Sequence, residues 1–136
     1  MRIYLLGYLV ALLTFLAADM AWLGTMVPRF YKPIMGDIVA PDVNLWAAIT
    51  FYALYPIGMV IFAVNPALKA GTLMTALIYG GLFGLFAYGT YNLTNHAVIR
   101  NWSLPLTVVD IAWGTFATAL ASAAAAWAAT KIFGNT

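Results

Sequence analysis

The chain has 136 residues, of which 65% are hydrophobic and 7% charged, with a net charge of +2 and no cysteine. A soluble domain covers itself with about 25% charged residues, so this composition excludes a water-exposed fold and points to lipid as the solvent. The charge is too small and too scattered for a nucleic-acid surface, and without cysteine there is no disulfide framework, thiolate nucleophile or cysteine-ligated metal.

The first apolar segment runs from about residue 3 to residue 27. Its start, "MRIYLLGYLVALLTFLAADMAW", has the outline of a signal peptide, with Arg2 as the charged head. The apolar run continues past Asp19, longer than a signal-peptide core, so we read it as a membrane span. Residues 28–44 follow, with three prolines and two aspartates. That content predicts a loop with at most one interfacial turn. Phe30, Tyr31, Trp46 and Trp102 are placed to form an aromatic belt on this side of the membrane.

The second span is expected at about 45–64, ending at "NPALKAG". Pro56 should kink it and free a carbonyl. The third span, about 72–95, carries Gly80 and Gly84 as a GxxxG pair and ends in "YGTYNLTNHAVI". The fourth, about 104–133, is rich in alanine. Asp110, Gly114, Ala117, Ala121 and Ala125 fall at helical spacing and make a ridge of small side chains. Each span has the roughly 20 residues a crossing needs, and only helices satisfy the backbone within each segment. The expected fold is therefore an all-α membrane protein, a single integral domain over 1–136. It is a four-transmembrane-helix bundle with both termini on the same side. Lys and Arg are balanced between the two faces, so charge does not choose the orientation.

Two strings, "DMAWLGT" from Asp19 and "DIAWGT" from Asp110, each place a tryptophan three residues after an aspartate, on the same helical face. Counting from the helix ends, the two carboxylates lie roughly 12 and 9 Å inside the same membrane face. The third span brings Tyr88, Tyr91, Asn92, Thr94 and Asn95 to that face, and the second brings Asn44, Tyr52 and Tyr55. All four helices thus deliver polar groups to one half of the bundle. An ionised carboxylate in lipid is costly and persists when paired, hydrogen-bonded or neutralised by protonation. No Lys or Arg lies within the apolar segments, so Arg29, Lys32 or Arg100 would have to fold inward to pair with it.

Two readings of this constellation stay open. The aspartates are either a hydrogen-bond latch, each held by a Trp or Tyr, or the polar end of a ligand site. On the second reading the candidate ligand-binding residues are Asp19, Trp22, Tyr55, Tyr88, Tyr91, Asn92, Thr94, Asn95, Asp110 and Trp113. His96 alone makes no metal or haem site, and no metal or cofactor is expected.

The strings "DMAWLG", "FYALYPIG", "NPAL", "YGTYNLTNHAVI" and "DIAWG" occur here in an order that resembles a family of small bacterial inner-membrane proteins. That family is known as predicted four-helix membrane proteins, a domain of unknown function. The resemblance covers nearly the whole chain and implies the same topology in a bacterial cytoplasmic membrane. It supplies no activity. The expected function is binding of a lipid or other amphiphilic small molecule, with or without catalysis. The alternatives are a proton-coupled transporter working as a dimer, or an accessory subunit of a larger membrane complex. Expected partners are membrane lipid and a second copy docked through Gly80, Gly84 or the alanine-rich face of the fourth helix.

Overall fold

A computed structural model of the chain describes residues 1–134. All its secondary structure is helical, and four helices are long and apolar enough to cross a membrane. They are α1 (Arg2–Ile38), α2 (Leu45–Ala70), α3 (Leu73–Val98) and α4 (Leu104–Phe133). None is amphipathic in the way of a surface helix, as expected where lipid takes the place of water outside. Leu9, Leu13, Ile61, Phe86 and Trp127 all lie on the bundle's exterior.

The helix ends follow local chemistry. The Asn44 side chain accepts a hydrogen bond from the Ala47 amide, Thr72 from Met74, and Ser103 from Leu106, so three of the four starts carry a side-chain cap. Gly71, in the left-handed region at φ 73°, closes α2, and its amide and that of Thr72 both bond the Ala67 carbonyl.

Two expectations are corrected here. Residues 28–38 continue α1 instead of forming a loop, and α2 continues through Asn65 and Pro66 to Ala70. Both continuations use the same device. A π-helical turn, Val27–Tyr31 in α1 and Val60–Val64 in α2, ends two residues before a proline, Pro33 or Pro66. The Lys32 amide bonds the Val27 carbonyl and the Asn65 amide bonds the Val60 carbonyl, each five residues back. A proline ring collides with the carbonyl four residues before it in a regular helix. The wider π turn moves that carbonyl aside, so the helix passes the proline instead of stopping. At about 1.5 Å per residue, α1 is roughly 55 Å long, well beyond the roughly 30 Å hydrocarbon core. Around Pro56 the carbonyl reached from outside is that of Ala53, which accepts the Tyr8 hydroxyl at 2.8 Å.

The closest packing joins α3 to α4. A Cβ on Gly84 would stand 2.3 Å from the Gly114 carbonyl, and one on Gly80 would stand 2.7 Å from the Ser122 hydroxyl. Ala117, Ala121 and Ala125 are fully buried among Ala11, Phe15, Tyr55, Met59 and Val64 of α1 and α2. The GxxxG pair and the alanine ridge are therefore both occupied inside one chain. Neither presents a surface to a second copy, so these faces do not carry the dimer contact expected of them. The physical reason is that small residues license close approach without specifying which helix approaches.

The aromatic belt is also revised. Trp46 is 82% exposed, as a belt residue should be, but Tyr31 and Trp102 are each only 7% exposed. The Trp102 indole donates to Thr107 Oγ1 at 3.0 Å, and the Tyr31 side chain turns into the bundle.

Candidate functional site

The interior of one half of the bundle is organised by the two aspartates. Asp19 is buried on α1, and Trp22 sits one turn further along the same face. Asp110 and Trp113 repeat that spacing on α4, which runs antiparallel to α1. The antiparallel register makes the two pairs reciprocal. The Trp113 indole donates to Asp19 Oδ1 at 3.0 Å. The Trp22 indole donates to the Tyr31 hydroxyl at 3.0 Å, and Tyr31 donates to Asp110 Oδ1 at 2.7 Å. Between these bonds the two indoles lie face to face, 4.4 Å apart with their planes 4° from parallel. Such a pair contributes about 0.5–1.5 kcal/mol beyond the area it buries.

The remaining two helices complete the cluster. Tyr52 of α2 donates its hydroxyl to Asp19 Oδ2. Asn92 of α3, fully buried, donates Nδ2 to Asp110 Oδ2 at 2.7 Å and to the Tyr88 carbonyl at 3.0 Å. Every carboxylate oxygen thus accepts from a neutral donor, and all four helices contribute. Arg29, Lys32 and Arg100 are exposed and do not fold inward. The bonds that join the two acids pass through indole N–H groups, which donate and cannot accept. They hold the acids in register and do not pass a proton from one to the other.

The structure sorts the sequence candidates. Asp19, Trp22, Asn92, Asp110 and Trp113 form the connected cluster. Tyr88 supplies its backbone carbonyl, and its ring lies against Gly114, where a Cβ would come within 2.1 Å. Tyr55 is buried but points elsewhere, its hydroxyl 2.8 Å from Thr118 Oγ1. Tyr91 meets Trp102 edge to face at 5.9 Å. Thr94 is not at the site: it is exposed and bonds back to the carbonyls of Thr90 and Tyr91. Asn95 is half-buried and makes none of the bonds to the acids. His96 Nδ1 stands 3.2 Å from the Trp102 carbonyl, tying the end of α3 to the turn that follows. Two direct donors to the acids, Tyr31 and Tyr52, were outside the candidate set. Tyr52 carried a usable signal, lying one turn before Tyr55 on the same end of its helix. Tyr31 carried none, because the π turn that aims it inward leaves no periodic mark.

Cavities border the cluster. A chamber of about 370 Å³ lies under the end of α1, with Tyr31 and Asp110 at its polar end and Leu23, Val27, Met35 and Trp102 among its walls. A second, of about 300 Å³, is lined by Phe51, Ala87, Tyr88, Tyr91 and Asp110. Asp110 and Tyr91 border both. A third, an apolar groove of about 800 Å³, runs between α1 and α2 and includes Tyr52. The Asn92 Oδ1 atom, buried beside Asp110, has no hydrogen-bond partner. Among the described residues no group of three or more His, Cys, Asp or Glu side chains could hold a metal ion.

A family model described as "Predicted membrane protein (DUF2177)" matches residues 4–127. No curated protein and no solved structure matches the chain.

Proposed function

The chain belongs to this family of membrane proteins, and we propose that it binds a lipid or other amphiphile at Asp110, head group against the carboxylate and tail along the apolar walls. The observation that carries the reading is the position of Asp110. Its two oxygens are held by Tyr31 and Asn92, yet it also borders two cavities. A latch alone needs the bonds but not the space. Ligand sites are typically concave and apolar, about 300–1,000 Å³ in volume, with a few convergent polar groups. Both chambers fit that description. The carboxylate accepts further hydrogen bonds beyond the two it holds, since each oxygen has two lone-pair directions.

Native mass spectrometry of the protein released from detergent tests this reading. A single retained amphiphile per chain is expected. Val39→Trp, on the segment that covers the larger chamber, narrows the space without touching either acid and should reduce occupancy roughly tenfold, as about 1.4 kcal/mol of lost contact would. A chain that carries no amphiphile, or a Val39→Trp variant that retains it undiminished, overturns the reading.

A further inference from the structure

The smaller chamber has a composition of its own. Its lining is three aromatic rings, Phe51, Tyr88 and Tyr91, with Ala87 and one carboxylate, Asp110. We propose that it is a cation cage, and that the head group it takes is an alkylammonium, a protonated or quaternary amine with an apolar substituent. The proposal rests on the amphiphile reading above and names the chemistry of the head.

Three observations point the same way. First, Asp110 accepts at both oxygens, from Tyr31 and from Asn92, each at 2.7 Å. The Asn92 amide cannot be turned round, because the same nitrogen also donates to the Tyr88 carbonyl. Two donors on two oxygens is the bonding pattern of the carboxylate form, which has no proton to give. Second, what remains unsatisfied beside it is another acceptor, Asn92 Oδ1. No lining residue of either chamber is basic. A phosphate or sulfate head would meet a carboxylate and an acceptor with nothing to bind it, whereas an ammonium meets partners only. Third, aromatic faces attract cations through their quadrupole, most strongly where water is excluded, and rings around an ammonium are the standard way proteins recognise it. Phe51 and Tyr91 keep 39% and 52% of their surface exposed, so the chamber opens at the flank of the bundle and a head group can enter from the side.

The test is a matched series with one tail and different heads. Dodecylammonium, dodecyltrimethylammonium, dodecanol and dodecyl phosphate are titrated onto the delipidated protein in maltoside micelles, with binding read by native mass spectrometry. Both cations should bind roughly tenfold more tightly than the alcohol, and the phosphate more weakly than the alcohol. The advantage should vanish in Asp110→Asn and fall about threefold in Tyr91→Leu, which removes a ring from a half-exposed position. It should persist in Asp37→Asn, an exposed acid that controls for general attraction of cations. Phosphatidylethanolamine as a fifth ligand separates the sources: retention of it identifies a membrane aminolipid, and preference for dodecylammonium identifies a free amine. Equal binding of alcohol and cations, or an advantage unchanged in Asp110→Asn, overturns the cage while leaving the amphiphile site standing. If none of the ligands binds, the site itself is refuted.

Discussion

On the two sides of Gly114, α4 is built from opposite materials. Towards its start it presents Asp110 and Trp113 to a cluster of hydrogen bonds with chambers beside it. Towards its end it presents Gly114, Ala117, Ala121 and Ala125 to neighbours that leave no room for a further atom. Lipid offers helices no hydrophobic reason to associate, so close contact and polar bonds must do it instead. This chain uses them in separate places. Close contact fixes the helices where nothing else is required, and polar bonds act where space has been left open. The difference teaches where stability and binding should respond to change. The packed half should be sensitive to volume, the polar half to chemistry.

The sharpest way to break that division is to add volume to the packed half. Gly84→Leu would drive a side chain into the Gly114 carbonyl and Thr118. Backbone cannot move aside as a side-chain tip can, so α3 and α4 must part. We expect a loss of about 3 kcal/mol or more, at the upper end for overpacked cores. Unfolding in mixed micelles of rising sodium dodecyl sulfate, followed by far-ultraviolet circular dichroism, measures it. A loss below about 1 kcal/mol would mean the seam is looser than the distances indicate.

The next effect comes from the polar half. Asp110→Ala leaves the buried Asn92 amide and the Tyr31 hydroxyl without their acceptor. Unsatisfied buried donors cost about 1–3 kcal/mol in soluble proteins, and polar contacts inside membranes average about 0.6 kcal/mol. We expect about 1–2 kcal/mol for Asp110→Ala and under about 1 kcal/mol for Asp110→Asn, which keeps one acceptor in place. Were Asp110→Asn to match Gly84→Leu, the aspartates would be a latch and nothing more.

How far this arrangement could be read in advance depends on the kind of signal each residue carries. The four crossings follow from composition, because lipid leaves the backbone no alternative to helix. The repeated Asp–x–x–Trp spacing, combined with alternating helix direction, brings the acids into one cluster, since spacing and depth are linear properties of the chain. Partnership is not linear. Gly80 and Gly84 mark a close approach, but the partner proved to be the chain's own α4. Thr94 stands in a run of polar residues, yet its hydroxyl is satisfied by its own helix, as Ser and Thr commonly are. Pro28 and Pro33 argue for a loop, and a π turn with its five-residue bonds overrules them. That one turn hides the inward position of Tyr31.

A smaller effect sharpens the comparison by spectroscopy. Two parallel indoles 4.4 Å apart should couple electronically and give a paired signal in circular dichroism near their absorption bands. Trp22→Phe and Trp113→Phe should each abolish it. A double-mutant cycle should give a coupling of about 1 kcal/mol, more than contact area alone provides. An unchanged spectrum in either variant would place the indoles apart. Gly84→Ala, by contrast, should weaken the bundle before it changes the indole signal, because its disturbance lies on the other side of Gly114.

The smallest expected change in stability is at Tyr31. Tyr31→Phe deletes one hydroxyl that accepts from Trp22 and donates to Asp110. About 0.6 kcal/mol is expected, the membrane average for a polar contact. The consequence for structure is larger than the energy. Trp22 loses its acceptor, and Asp110 loses the donor that connects it to α1. Pro33→Ala approaches the same contact through the backbone. Without the proline ring, the turn before it is free to return to a regular helix, and removing one π insertion rotates the preceding face by about 100°. Tyr31 would then swing out of the cluster although its hydroxyl is intact. Both variants should therefore dim the indole signal and weaken amphiphile retention together, while Gly84 contacts and overall helicity stay as they were. If Pro33→Ala leaves the signal untouched and Tyr31→Phe does not, the tyrosine is held by its bonds alone and the π turn is incidental to its aim.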